Sequence, residues 1–417
     1  MRMRIWFTEI GEPLPIEADV RLHRYGMLTR ALASYGHDVV WWTSSFSHWA
    51  KRQICDRDSD FFVDGVNLRV LTGPGYRRNV SLQRIIHQRH FAKRFSQAAR
   101  QCERPHLIIS PVPTLEVAAN AVRFAREYGI PILTDIRDEW PDEFVDLFPK
   151  PLKGLFRILL FGYYKKIRDI CRHADGILAM SRRQLDYGLK FAGRPEGIND
   201  ALFPHGYSAQ PVDPQKVAIA RQWWIDKGIT PDAFHCCFFG TIGNFFNLRT
   251  VIEAAKVLAK EFSIQFILCG SGGSLEYYRK LASDTEEVIF PGWVDAPKIA
   301  ALMEMSHVGL APYAACTRMS LPNKPFEYFA GGLPVVSSIE GELRDLLVEY
   351  DCGRTYRPDS VTELCAVLRE LKWSEPLRKA MGMRARRLLE EKFSIETISS
   401  DFNNHLIRVV QNNQSQI

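Results

Sequence analysis

Short apolar runs alternate with longer stretches of helical periodicity along the whole chain. In the first half the runs that predict strands are 5–8, 39–43, 68–71, 107–110, 132–134 and 176–179, and helical periodicity appears near 21–35, 81–101, 114–128, 153–172 and 181–192. The second half repeats the pattern, with strands predicted at 235–239, 264–269, 288–290, 308–311, 335–337 and 353–356. Its helices are predicted near 247–260, 274–283, 296–305, 324–330 and 360–371. Strands that are apolar on both faces and separated by helices belong in parallel sheets covered on both sides. Each half therefore predicts a doubly wound α/β domain. The stretch HGYSAQPVDPQK, 205–216, has the composition of a linker between them. The division this predicts is 1–208 and 209–395, with a C-terminal helix, 396–417, rejoining the first domain, and a frayed end at QNNQSQI.

A chain of 417 residues with 46% hydrophobic and 24% charged residues is long for one core and ordinary in composition. The N-terminus is basic and then apolar, like a signal peptide, but Glu9, Glu12, Glu17 and Asp19 interrupt it too early, so a first strand is the reading. No run is long and apolar enough to predict a membrane-spanning helix. The nine cysteines are scattered, without a C-x-x-C pair, and Cys236, Cys237 and Cys269 fall inside apolar runs; buried thiols in a reducing compartment are predicted, and no zinc site. Charge changes the picture more. Residues 1–207 hold 31 Lys and Arg against 23 Asp and Glu, whereas the remainder holds 23 against 25. The excess concentrates in 76–104, with eight Lys and Arg, and in 150–173, with seven.

In doubly wound sheets ligands bind beyond the carboxyl ends of the strands. Four loops of the second half occupy such places: Gly240-Thr241-Ile242-Gly243-Asn244, Gly270-Ser271-Gly272-Gly273, Pro291-Gly292-Trp293, and SLPNKPFEYFAGGLPVVSS at 320–338. Glycines there let backbone amides approach an anion. No G-x-G-x-x-G and no G-x-x-x-x-G-K-[ST] is present.

Several segments resemble one family. Gly36-His37-Asp38-Val39-Val40 resembles the GHxV start of the second strand in GT-B glycosyltransferases, and Glu327 with YFAGGLPVVSS resembles their nucleotide-binding E-A-x-A-x-G-x-P-V-V-A segment. VDAPKIAALMEMSHVGLAP at 294–312 and DCGRTYRPDS at 351–360 follow in the family's order. The resemblance spans nearly the whole chain and is to retaining enzymes of family 4. EPLPIEADVRLHRYGML and DIRDEWPDEF resemble the bacterial surface-polysaccharide subset, including the aminosugar (fucosamine) transferases of O-antigen assembly.

That resemblance implies the GT-B fold, two Rossmann-like domains facing across a cleft. It implies a sugar nucleotide, UDP-linked by frequency in the subset, held by Gly240, Thr241, Gly243, Asn244, Arg249, Gly270, Ser271, Gly272, Gly292, Trp293, Leu321, Pro322, Asn323, Lys324 and Glu327. Glu327 is expected to accept hydrogen bonds from the ribose hydroxyls and Lys324 to neutralise the leaving diphosphate. Asp138 and Arg137 are the further catalytic candidates, and Thr8, Gly11, Glu12 and Arg24 the acceptor-binding ones, with Arg24 reaching an acceptor phosphate. No metal and no other cofactor is expected.

The chain departs from the family pattern in three places. Met319 stands where a second Glu is usual, Phe246-Asn247-Leu248-Arg249 where a Lys is common after the glycine loop, and Arg137 beside Asp138 where a His often contacts the sugar. The partners implied are a nucleotide-sugar donor and a lipid-linked glycan acceptor. An anionic membrane surface would be met by 76–104 and 150–173 at the inner face of the cytoplasmic membrane. Nucleic acid is not implied, since no binding module accompanies the basic segments. Two other readings stay open: a non-catalytic sugar-nucleotide-binding subunit, which Met319 permits, and a GT-B-fold sugar-nucleotide 2-epimerase, whose catalytic pattern is not found.

Overall fold

The computed structural model describes residues 1–17, 20, 22–208, 212–317 and 319–414. Residues 209–211 of the predicted linker lie outside the described residues. The chain forms two compact units, Met1–Gly206 together with the helix that starts at Ile395, and Tyr207–Ser394.

The first unit is built on an eight-stranded sheet. Its strands are β1 (Arg4–Phe7), β2 (Asp38–Ser44), β3 (Ser59–Val63), β4 (Val66–Leu71), β5 (Leu107–Val112), β6 (Ile132–Ile136), β7 (Gly176–Ala179) and β8 (Ala201–Leu202). Their spatial order is β8-β7-β6-β5-β1-β2-β4-β3. Strand β1 is central, with Ile5 opposite Val39 on one side and Leu107 on the other. The period of two divides its side chains between two cores. Trp6 enters one with Trp42, Phe95 and Phe124, while Ile5 and Phe7 enter the other with Tyr25, Trp41 and Leu133. The C-terminal helix Ile395–Gln414 completes the second core with Ile398, Phe402, Leu406 and Val410, a row at helical spacing. Complete burial of a side chain such as Phe402 contributes about 1.5–3 kcal/mol.

The structure differs from the sequence-based expectation in several places, among them the unpredicted helix Glu342–Glu349. The sheet is not purely parallel, because β3 pairs antiparallel with β4 at the edge. Its burial alternates and Phe62 is exposed, so it lacks the continuous apolar run that marks the other strands. The helix predicted at 153–172 is two, Lys153–Leu159 and Phe161–His173, separated at Leu160. The predicted linker also runs into a helix, Pro214–Asp226, which Asp213 caps by accepting from the Gln215 amide and which buries Val217, Ala220 and Trp224.

The second unit carries six parallel strands: β9 (Phe234–Phe239), β10 (Ile264–Cys269), β11 (Val288–Ile289), β12 (Val308–Ala311), β13 (Val335–Ser337) and β14 (Gly353–Thr355). The order is β11-β10-β9-β12-β13-β14. Every residue of β9 is buried; Cys237 and Phe239 face one core, Cys236 and Phe238 the other. The thiols behave as small core groups, and burial pushes that of Cys237 up to about 12. Among the parallel strands of each sheet the order reverses once, between β1 and β5 in the first and between β9 and β12 in the second. Those reversals mark where the carboxyl-end loops part and leave room for a ligand.

Candidate active site

In the second unit the reversal is closed by one side chain. Lys324 opens the helix Lys324–Ala330, which follows the long loop after β12, and its Nζ donates to the Phe239 carbonyl at the end of β9. The rings of Phe238 and Phe239 lie 5.6 Å from the ammonium and that of Phe246 5.9 Å, so the charge is flanked by aromatic faces. Gly240 makes this approach possible, for a Cβ there would stand 2.6 Å from Lys324 Nζ. Glu327, three residues along, shares the helix face with Lys324 and is half-buried. Burial and the Glu327 charge raise the Tyr313 phenol above its ordinary range. Burial, chiefly, does the same at Tyr328, whose hydroxyl donates to the Leu310 carbonyl at 2.9 Å. The helix ends where the sequence predicts, with Gly332 at φ +67° and the Leu333 amide donating to the Tyr328 carbonyl at 3.0 Å.

The two glycine loops are packed against each other. The Gly240 amide donates to the Cys269 carbonyl at 3.0 Å, and the Ile242 amide to the Ser271 carbonyl at 2.9 Å. Gly270 has φ +141°, and a Cβ there would meet the Gly240 oxygen at 1.9 Å. Its glycine is thus required by loop packing. Thr241, Asn244, Ser271, Gly272 and Trp293 are exposed around these loops, with Gly243 and Gly292 partly so. Of the motif's first turn, Pro322 is buried, Leu321 half-buried and Asn323 exposed. Arg249 is exposed and turned to its neighbours, donating to the Tyr277 hydroxyl at 2.7 Å and lying 3.8 Å from Glu253. Met319 is exposed as well, so no acid stands at the position where the resembling enzymes carry their second Glu.

The first unit solves the same position with buried charge. Glu9 and Glu12, in the loop after β1, flank the guanidinium of Arg137, which follows β6, at 3.3 Å and 2.8 Å. The other Glu12 oxygen accepts from the Tyr25 amide at 2.8 Å and so caps the helix Arg24–Ser34. One turn inward, Asp135 accepts from Arg24 Nε at 3.0 Å and from the Tyr25 hydroxyl at 2.7 Å. Burial pushes the Glu9 carboxyl up to about 7, against the pull of Arg137. Burial works against the Arg137 charge too, but Glu12 and Glu9 hold it protonated.

This arrangement corrects part of the acceptor-side expectation. Arg24 is 2% exposed, and its other donations go to the carbonyls of Phe203 and Pro204, so it does not reach out to a phosphate. Thr8 is buried and bonds Ser110 at 2.7 Å, and Glu12 is committed to Arg137 and the helix cap. The Gly11 amide turns to Glu9, and its carbonyl accepts from Trp49 at 3.0 Å. Asp138 has no hydrogen-bond or ion-pair partner among the described residues; its residue surface is open, while its carboxyl is desolvated enough to be raised above the ordinary range, against the pull of the Arg137 and Arg84 charges. The sequence reading missed Glu9, Tyr25 and Asp135 as members of one site. A signal for Asp135 existed, since an acid inside the apolar strand ILTDI requires a buried cationic or hydrogen-bonding partner.

Among the described residues no three His, Cys, Asp or Glu side chains are grouped to hold a metal, and no helix is long and apolar enough to cross a membrane.

Residues 23–198 match the family described as "Glycosyl transferase 4-like domain", and residues 233–372 that described as "Glycosyl transferases group 1". No curated protein sequence matches the chain. Among solved structures, sucrose-phosphate synthase from Thermosynechococcus elongatus aligns with a TM-score of 0.72 at 16% identity, over 99% of this chain and 100% of that one. Anabaena HepE in complex with UDP aligns at 0.68 and 15%, over 98% and 100%. WaaG, a glycosyltransferase involved in lipopolysaccharide biosynthesis, aligns at 0.62 and 16%, over 96% and 98%. With a glycosyltransferase domain matched in each unit and this topology in both sheets, the chain is a glycosyltransferase of the GT-B fold.

Proposed function

We propose that the protein transfers a sugar from a UDP-linked donor, with retention, to a lipid-linked or polysaccharide acceptor in the synthesis of a bacterial surface glycan. The observation that carries this reading is the placement of Lys324 and Glu327 on one helix face at the strand-order reversal of the second unit. Glu327 accepts from the ribose hydroxyls, and Lys324 offsets the charge that builds on the diphosphate as the glycosidic bond breaks. Gly240, Thr241, Gly243, Asn244, Gly270, Ser271, Gly272, Gly292 and Trp293 border the donor, and Arg249 adds a cation at the edge of the glycine loop. The UDP bound by HepE supports the choice of nucleotide, and the role of WaaG supports a surface glycan. Asp138, exposed and unpartnered among the described residues, contacts the reacting hydroxyl or the transferred sugar, while Arg137 is a positioning residue held by Glu9 and Glu12. Transfer proceeds without a metal, with Lys324 supplying the neutralisation.

A thermal-shift panel of nucleoside diphosphates and sugar nucleotides tests the centre of the proposal. UDP raises the melting temperature of the wild type, and Glu327→Ala removes the shift. A shift that survives this change takes the ribose contact away. Turnover that persists in EDTA checks metal independence, and the anomeric configuration of the product, read by NMR, checks retention.

The location proposed is the inner face of the cytoplasmic membrane. Leu147, Leu155, Ile158, Leu159 and Phe161 are exposed in and beside the segment 150–173, next to Lys150, Lys153 and Arg157. That combination fits an interfacial, anionic-lipid-binding surface. Cations of both segments have acidic neighbours, Arg89, Arg94 and Arg100 near Glu116, Asp58 and Glu127, and Lys153 and Arg157 near Asp146 and Asp142, so the exposed apolar side chains of 150–173 carry this part of the proposal. Sedimentation with anionic vesicles should carry the protein down, and Ile158→Glu should release it. A protein that stays in the supernatant at low salt removes the membrane part alone. The exposed Met319 favours one second reading, a sugar-nucleotide-binding subunit without turnover, which release of UDP in the presence of acceptor would rule out.

A further inference from the structure

Two cations, Lys51 and Arg84, and two imidazoles gather beyond the end of β2 without an ion-paired acid among the described residues, the acids that act on the cluster from farther away being Asp138 on Arg84 and Glu9 on Tyr76. The hairpin formed by Phe46–Ser47 and Arg52–Gln53 carries His48 and Lys51 in its loop. The helix Leu82–Ala99 brings Arg84 and His87 to the same place. Lys51 Nζ lies 3.5 Å from His48 Nδ1 and 4.6 Å from the centre of the Tyr76 ring. Tyr76 in turn bonds His48 through its hydroxyl and packs 5.2 Å from the His87 ring. Lys51 and Arg84 converge on Asn79, the lysine on its side-chain oxygen and the arginine on its carbonyl at 3.0 Å.

Among the described residues, no carboxylate forms an ion pair with His48, Lys51, Arg84 or His87. Burial together with Lys51, Arg84 and His87 pushes the His48 imidazole down to about 4, and burial with Arg84 lowers Lys51. Arg84 Nε is buried with no hydrogen-bond partner among the described residues. Lys51 also sits at φ +54°, a left-handed conformation that a residue other than glycine holds only when its surroundings impose it. Repelling cations, an unused donor and a strained backbone all work against stability and are offset when an anion binds. The cluster is also placed for function. Trp49, exposed next to His48, donates to the Gly11 carbonyl in the loop after β1, so the cluster borders the strand-order reversal of this unit.

We propose that Lys51 and Arg84, framed by His48, Tyr76 and Trp49, bind a phosphate group carried by the acceptor. The chemistry is that of a phosphomonoester or a diphosphate, whose oxygens accept charge-assisted hydrogen bonds from the ammonium and from the unused Arg84 Nε. The word acceptor rests on the proposed function; the anion site does not.

Calorimetric titration of the full chain with inorganic pyrophosphate tests the site. Lys51→Met and Arg84→Met should each weaken binding at least about tenfold, and Arg369→Met, which removes a surface cation paired with Glu261, should leave it unchanged. Circular dichroism of each variant establishes that it is folded. Unchanged affinity in both folded cation variants, or equal weakening by Arg369→Met, overturns the site. UDP titrated in parallel separates the two readings: if UDP fails to bind the wild type, the donor proposal falls while pyrophosphate binding still supports this one. Farnesyl diphosphate and glucose 1-phosphate then distinguish the sources. Tighter binding of the first than of pyrophosphate supports a lipid diphosphate, and of the second than of inorganic phosphate a sugar phosphate. Weaker binding of both overturns the assignment to the acceptor.

Discussion

The two units share one sheet logic and occupy the reversal of strand order in opposite ways. In the second unit the loops after β9 and β10 are backbone against backbone, and Lys324 reaches across the β9 end beside Gly240. In the first unit the equivalent space holds Glu9, Glu12, Arg137, Tyr25, Asp135 and Arg24, largely enclosed. A rim made of glycine and backbone leaves its polar capacity for a ligand such as a diphosphate. A rim of internally paired charges is already satisfied, and it holds loops in place for groups that stand outside it, among them Asp138. The lesson is that a charged residue at a strand end is not by itself a ligand-binding one. What it already touches decides.

The largest effect is expected where the first rim is deepest. Asp135→Ala leaves Arg24 in the interior without its carboxylate partner, and loss of one partner of a buried pair costs about 3–5 kcal/mol. Urea unfolding should show it, and a loss below about 1 kcal/mol would mean that this rim is not held by its charges. Next comes the rim built of glycine and backbone. Gly270→Ala places a Cβ 1.9 Å from the Gly240 oxygen at φ +141°, for a backbone penalty of about 1–3 kcal/mol before any steric adjustment. Because the adjustment falls on the loop beside Lys324, UDP affinity should fall together with stability. Normal UDP binding in the variant would show that the loops move independently of the site.

The contrast also explains which parts were legible in the sequence. Strands such as FHCCFF at Phe234–Phe239 announce themselves because burial on both faces leaves no polar alternation. The Lys324 to Gly332 segment is legible because cation, acid and terminating glycine all lie on one short helix and its end. The strand Ser59–Val63 is hidden by its edge position, since half its side chains face solvent. The helix Pro214–Asp226 is hidden by the Pro and Asp that start it, which read as linker until Val217, Ala220 and Trp224 are seen to be buried. The first rim could not be read at all as a unit. Its members come from positions 9 and 12, 24 and 25, and 135 and 137, and only the folded sheet brings them together. The family resemblance puts Arg24 on the acceptor side, facing a phosphate. The anion it meets is Asp135.

Taken per pH unit, the smallest effect is also the one most specific to the first rim. A carboxyl whose value is raised in the folded chain binds its proton more tightly there than in the unfolded chain. For Glu9 that contribution is complete below the ordinary value of 4.5 and is lost as pH rises through about 7. Between those limits the wild type should lose stability relative to Glu9→Gln, by at most about 1.4 kcal/mol per pH unit. Glutamine preserves the shape and an oxygen for the Gly11 amide, which donates to Glu9, but it does not titrate. The groups that act on Glu9 are Arg137, Glu12 and Asp135, so the same experiment on Glu12→Gln serves as the control for a general change of field. Melting temperatures from pH 5 to 8 give the comparison: a flatter profile in Glu9→Gln than in the wild type is expected. Parallel profiles would mean that Glu9 stays ionised throughout and that Arg137, not burial, sets its charge.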